Sequence, residues 1–142
     1  MTGVQTCALP IFDLEAVRKG QEELHQRREI QLGQFFSLND QCRVQPPPSV
    51  EVVKKPRYGT IVVREGQGVV MAVFAKNRQH CIGTKGALRS PYYVLDEKHR
   101  DRTDTDTITL RSRHSNGVTD IVDYEIDLGQ RTSTRTKFAR QQ

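Results

Sequence analysis

Tryptophan is absent, methionine occurs twice, and phenylalanine and tyrosine together make up only 6% of the chain. A core here must come from Val, Ile and Leu rather than from large rings. No apolar run approaches the roughly 20 residues of a membrane helix, so no membrane partner is expected. GxSxG, HExxH and CxxC are all missing. His25, His80, His99 and His114 are scattered and not paired at ligand spacing, so no metal and no cofactor is expected. A non-enzymatic role is therefore expected ahead of catalysis. What remains is polar: 35% hydrophobic, 27% charged, with mean hydropathy −0.64. Such values suit one small soluble domain with long exposed segments.

Cysteine is scarce too, at Cys7, Cys42 and Cys81. Thr2–Ile11 (Thr-Gly-Val-Gln-Thr-Cys-Ala-Leu-Pro-Ile) resembles the in-frame translation of a short-read library adapter, residue for residue. Residues 1–11 are thus expected to be a sequencing artefact, with the native chain starting at or after Phe12 as part of a longer protein. That excludes Cys7. Nothing else indicates secretion, so Cys42 and Cys81 are expected as free thiols in a reducing compartment, with a disulfide as the alternative.

Asp13 can cap a helix from about Leu14 to Phe36, with Glu15–Lys19 and Glu23–Arg27 as i,i+4 pairs. It reads as a surface helix, or as a docking helix for a protein partner. Pro46-Pro47-Pro48 cannot continue a helix and favours a stiff spacer. This divides the chain into an N-terminal helix over 12–45, a proline linker over 46–49 and a β domain over 50–142.

Beyond the prolines the hydrophobic period is two. Val50–Val53 and Tyr58–Arg64 read as strands, Gly66-Gln67-Gly68 as a turn, and Val69–Ala75 as a central strand buried on both faces. Asn77-Arg78 reads as a turn and Gln79–Ile82 as a short strand, followed by a loop through Gly83, Gly86 and Pro91, a strand at Tyr92–Leu95 and a charged loop over Asp96–Asp106. Asn116-Gly117 lies between Thr107–Arg113 and Val118–Leu128, the strongest hairpin signal in the chain. On the second arm Val118, Val122, Tyr124, Ile126 and Leu128 face one way, with Asp120 the exception. The fold class is mainly β: a small antiparallel sandwich or barrel with an N-terminal helix and proline linker.

Net charge is +5, unevenly placed. Residues 12–45 carry five cations against six acids, whereas 46–142 carry 17 against 11. In the last strand, Arg131, Arg135 and Lys137 fall on alternate positions and so on one face, and Arg140 adds a fourth cation. Arg111 and Arg113 share one face of their own strand. If the two strands are neighbours, these six residues form a ribbon that can follow a phosphate backbone, so nucleic acid or another polyanion is the expected partner. A solvated edge strand kept from aggregating by charge is the plainer reading of the same cations. Two alternatives stay open: a structural subunit of a larger assembly such as a phage or virus particle, and the C-terminal accessory domain of a longer enzyme. Cys81–Gly86 lacks P-loop spacing, and Arg100 and Arg102 intrude among Asp101, Asp104 and Asp106, so these read as plain loops.

Overall fold

The computed structural model describes residues 28–71 and 76–141, side chains of 76–78 aside. Within these the chain is mainly β. The strands are β1 Glu29–Gln31, β2 Ser37–Leu38, β3 Val44–Gln45, β4 Ser49–Lys54, β5 Gly59–Val69, β6 Lys85–Leu95, β7 Thr105–Arg113, β8 Thr119–Asp127 and β9 Thr132–Gln141. They form an antiparallel four-stranded sheet in the order β9-β8-β7-β4, a three-stranded sheet β1-β6-β5, and the small hairpin β2-β3. The sheets do not close into a barrel. The two larger ones share one core: Ile30, Leu32, Tyr93 and Leu95 meet Ile108, Leu110, Val122, Tyr124, Ile126 and Leu128, all buried. Burying each large apolar side chain is worth about 1.5–3 kcal/mol.

The hairpin signal at Asn116-Gly117 is realised. Arg113 pairs with Thr119, the His114 N–H donates to Val118 O at 2.9 Å, and Gly117 takes φ +92°, a conformation that favours glycine. On β8 the even residues from Asp120 to Ile126 are buried while the odd ones are not, as alternation requires.

Four expectations are corrected. First, the part of the expected helix that falls on described residues, 28–36, is extended; Leu14–Arg27 lies outside them. Glu-Ile-Gln-Leu alternates, so pairing with β6 buries Ile30 and Leu32 while Glu29 and Gln31 stay exposed. Second, the prolines do not separate two units among the described residues. Ile30 and Leu32, upstream of them, belong to the common core, Pro48 is buried, and Arg89 Nη1 donates to Pro48 O at 3.0 Å.

Third, Gly66-Gln67-Gly68 is not a turn. β5 runs straight through, in unbroken register with β6 from Gly59↔Leu95 to Val69↔Lys85. Residues 72–75 of the expected central strand lie outside the described residues, and Met71 just before them is exposed. β6 accordingly contains Pro91, expected in a loop. Pro91 O accepts from Leu32 N at 2.9 Å. A residue's N–H and C=O point to the same side of a strand, so its missing N–H faces β1 and leaves the β5 ladder whole.

Fourth, Cys42 and Cys81 are joined in a disulfide with Cα atoms 5.1 Å apart. The β2–β3 turn carries Cys42, at φ +61°, onto the buried Cys81 at the end of the 3₁₀ turn Lys76–Cys81, which stands where a short strand over Gln79–Ile82 is expected. Gly86 lets the same hairpin approach β6: a Cβ there would fall 2.4 Å from Val44 Cγ2.

The bridge closes a separation of 39 residues. Reducing it, or replacing both cysteines by serine, should lower stability toward urea by about 4 kcal/mol on the chain-entropy estimate. An unchanged urea midpoint after reduction would show that the bridge contributes nothing.

Candidate ligand cleft and hydroxyl–imidazole–carboxylate relay

The β9 strand forms as expected, but its cations do not share a face. Its register against β8 shifts between Arg135 and Lys137. Residues opposite one another in an antiparallel pair point to the same side. Arg135 is opposite the buried Tyr124, whereas Lys137 is opposite Asp123 on the outer face. After the shift, Phe138 and Arg140 return to the inner side, opposite Val122 and Asp120. One extra residue at Thr136 thus reverses the alternation on which the ribbon rests.

The remaining cations are dispersed further. Arg131 precedes the strand at φ +60° and is buried. Its Nη2 donates to Arg100 O at 2.6 Å, while Nε and Nη1 find no partner among the described residues. Arg111 pairs with Glu51 across the β7–β4 register, and Arg113 lies opposite Ser49 on the same outer face. The hydrogen bond from Arg111 holds the Glu51 carboxyl below its ordinary range, and Arg113 adds to it. That face also carries Asp123, Glu125 and Asp127, so its charge is mixed.

Arg135 and Arg140 instead line a cleft of about 910 Å³ at one end of the domain. Its walls are the 31–40 segment, the β7–β8 turn and the inner side of β9. Phe35, Phe36 and Tyr124 supply rings, and Gln31, Gln34 and Asn39 supply amides. Tyr124 is buried, which pushes its hydroxyl up to about 12 against the opposing pull of Arg135.

At the floor of the cleft a polar chain crosses four elements. Ser37 Oγ of β2 is hydrogen-bonded to His114 Nδ1 at the head of the β7–β8 turn. His114 Nε2 lies 3.0 Å from Asp120 Oδ2 on β8. Arg140 on β9 grips the same carboxylate, Nε to Oδ1 at 2.7 Å and Nη2 to Oδ2 at 2.9 Å. Asp120 Oδ2 is acceptor only, so in the neutral ring Nε2 carries the proton and Nδ1 accepts from the Ser37 hydroxyl. Burial alone would raise the Asp120 carboxyl; hydrogen bonds from Arg140 and His114 outweigh it and hold the group below its ordinary range.

Sequence reasoning did not single out this constellation. Asp120 left a trace, as the polar exception on an apolar strand face. His114 and Ser37 lie in no motif, and only the tertiary fold brings position 37 to 114. Among the described residues one cluster with metal-ligand atoms in reach of one another is Cys42, His80 and Cys81, and both of its sulfurs are spent in the disulfide. No helix among the described residues is long and apolar enough to cross a membrane. Comparison with protein families, curated proteins and solved structures finds no match to this chain.

A carboxyl depressed in the folded state stabilises the fold above its unfolded value and loses that contribution as pH falls through the folded one. Asp120→Asn should therefore be less stable than the parent near neutrality. The gap should close as pH drops below the ordinary carboxyl value of 3.8. Urea melts across that range measure it, and a gap independent of pH would refute it.

Proposed function

We propose that this domain binds single-stranded nucleic acid, and that the strand lies in the cleft rather than along the outer face of the larger sheet. One observation carries this reading: Arg135 lines the same cleft as the half-buried Phe35 and Phe36, with Arg140, paired to Asp120, beside it. Binding of a single strand needs cationic groups beside the phosphates and rings on which bases stack, with each stacked base worth about 1–3 kcal/mol. The cleft brings the two together. The outer face carries Arg111, Arg113 and Lys137 among carboxylates. Arg131 is buried, and a guanidinium held there reaches no ligand.

Fluorescence anisotropy with a labelled oligothymidylate tests the reading. Binding should appear at low salt and fall linearly on a log–log salt plot. Arg135→Glu should weaken it about 10-fold or more, and Phe35→Ala by about 5-fold or more. Arg113→Glu, on the outer face, should change it less than about 2-fold. Absence of binding at low ionic strength, or a larger loss from Arg113→Glu than from Arg135→Glu, would refute it.

A second reading, a subunit of a larger assembly, is favoured by the free edge of β5. Among the described residues no strand pairs with that edge, which spans 11 residues without a bulge or proline. Val62 and Val63 are exposed on it. Edges of this kind add strands from other chains. The disulfide also favours an oxidising setting such as a particle or cell surface over the reducing one expected from the sequence. On this reading the chain should elute above its monomer mass at high concentration, and Val62→Lys should return it to monomer. A monomer at all concentrations would remove it.

A further inference from the structure

We propose that Ser37 is a nucleophile activated by His114, and that the cleft hydrolyses a carboxylic ester. The inference goes beyond the nucleic-acid reading and does not rest on it. Ser37 converges on two residues of one distant hairpin: its hydroxyl bonds to His114 Nδ1, 77 positions away, and His114 Nε2 lies 3.0 Å from Asp120. A nucleophile within hydrogen-bond reach of a base, with the base oriented by a third group, is the arrangement that nucleophilic catalysis requires. Geometry and roles identify such a relay, not chain order or motif, which is why the missing GxSxG does not count against it.

The same contacts could serve only to tie β2 to the β7–β8 turn. Such a tie would serve equally well under solid packing, away from any cavity. Here Ser37, 8% exposed, and His114 both line the 910 Å³ cleft, a volume in the range of small-molecule sites. Arg135 and Gln34 line it too and offer cationic and amide donors of the kind a developing oxyanion needs.

The step balances without a cofactor. As Ser37 Oγ bonds to the ester carbonyl carbon, its proton passes to His114 Nδ1 and the carbonyl electron pair moves onto oxygen. Collapse restores the carbonyl and breaks the bond to the alkoxide, which leaves with the proton from Nδ1. Water then attacks the acyl-serine with His114 again accepting the proton, releasing the carboxylic acid and regenerating the hydroxyl. Asp120 fixes the ring and offsets the charge it gains. Arg140, holding both carboxylate oxygens, is a positioning residue that moderates that offset.

The full chain should be treated with an alkyl fluorophosphonate and mapped by peptide mass spectrometry, with 4-nitrophenyl acetate turnover read in parallel. The expected result is a phosphonyl adduct on Ser37. Ser37→Ala should abolish both adduct and turnover, and His114→Gln should slow labelling about 100-fold or more. Should His114→Gln fail to fold, labelling of the parent chain decides alone: Ser37 should react ahead of every other serine of the same folded chain. No adduct on Ser37 in the folded protein, labelling of Ser37 no faster than of the other serines, or equal turnover by Ser37→Ala would overturn the proposal. Oligonucleotide binding is a separate readout: labelling without binding removes the nucleic-acid reading and keeps this one, and binding without labelling does the reverse.

Discussion

The Asp106 carboxylate, 2% exposed, sits where the two larger sheets and the link between them meet. Oδ1 accepts from Arg57 N and Thr107 N, each at 2.9 Å. Oδ2 accepts from Tyr58 N and the Tyr93 hydroxyl, also at 2.9 Å. Asp106 belongs to β7 of the four-stranded sheet, Tyr93 to β6 of the three-stranded sheet, and Arg57 and Tyr58 to the crossing from β4 to β5. A buried charge is tolerated only when its lone pairs are satisfied, and here backbone and phenol together satisfy them. Burial, then the bond to Asp106, drives the Tyr93 hydroxyl well above its usual value, so it stays a donor. Apolar packing holds the sheets face to face without fixing their offset; this directional set of bonds does fix it.

That offset determines which side chains reach the end of the domain. Held against β6, the β7–β8 hairpin places its turn, with His114, over the 31–40 segment. β9 follows β8 and brings Arg135 and Arg140 to the same end. The shift at Thr136 then matters more than the number of cations. Had the alternation continued, Arg135 and Lys137 would share a side and Arg140 would point away from Asp120. With the shift, Arg140 is turned inward to pair with a carboxylate that would otherwise be buried beside the His114 ring alone. The basic composition of the C-terminal strand serves a buried ion pair and a cleft wall more than a surface field.

How far the sequence could show this follows from the range of each cause. Local causes were legible. Asn116-Gly117 fixes a hairpin through its own backbone preferences, and the alternation from Val118 to Leu128 fixes which side of β8 is buried. Longer-range causes were not. Glu29–Leu32 carries a period of two in too few residues to outweigh a helical pattern read over a wider window, and pairing with β6 decides it. Glycines at 66 and 68 read as a turn because glycine is permissive, yet it is equally at home in a strand where a neighbour lies close, as Leu88 does beside Gly68. The union of Cys42 with Cys81 depends on where a hairpin and a 3₁₀ turn meet, which no spacing reveals. Asp106 was read as part of a charged loop because its four donors come from positions 57, 58, 93 and 107.

The cleft wall formed by the 31–45 segment is attached by ties of unlike kinds. Leu32 and Ile30 enter the core, Phe35 exchanges backbone bonds with Arg89, Val44 packs over Gly86, Cys42 is bonded to Cys81, and Ser37 is held by His114. Of these, the core residues and the Val44–Gly86 contact are non-directional packing of the kind that stabilises small β domains generally. The rest fix position, and position is what a relay of hydroxyl, imidazole and carboxylate needs, since small misplacements of reacting groups cost rate steeply. A buried ion pair is weak evidence of a stability role, because apolar side chains of equal volume often do as well. The carboxylate of Asp120, bonded to both Arg140 and His114 at the cleft, ties β8, β9 and the β7–β8 turn at one point, and the proposed relay would use the same tie to hold the ring.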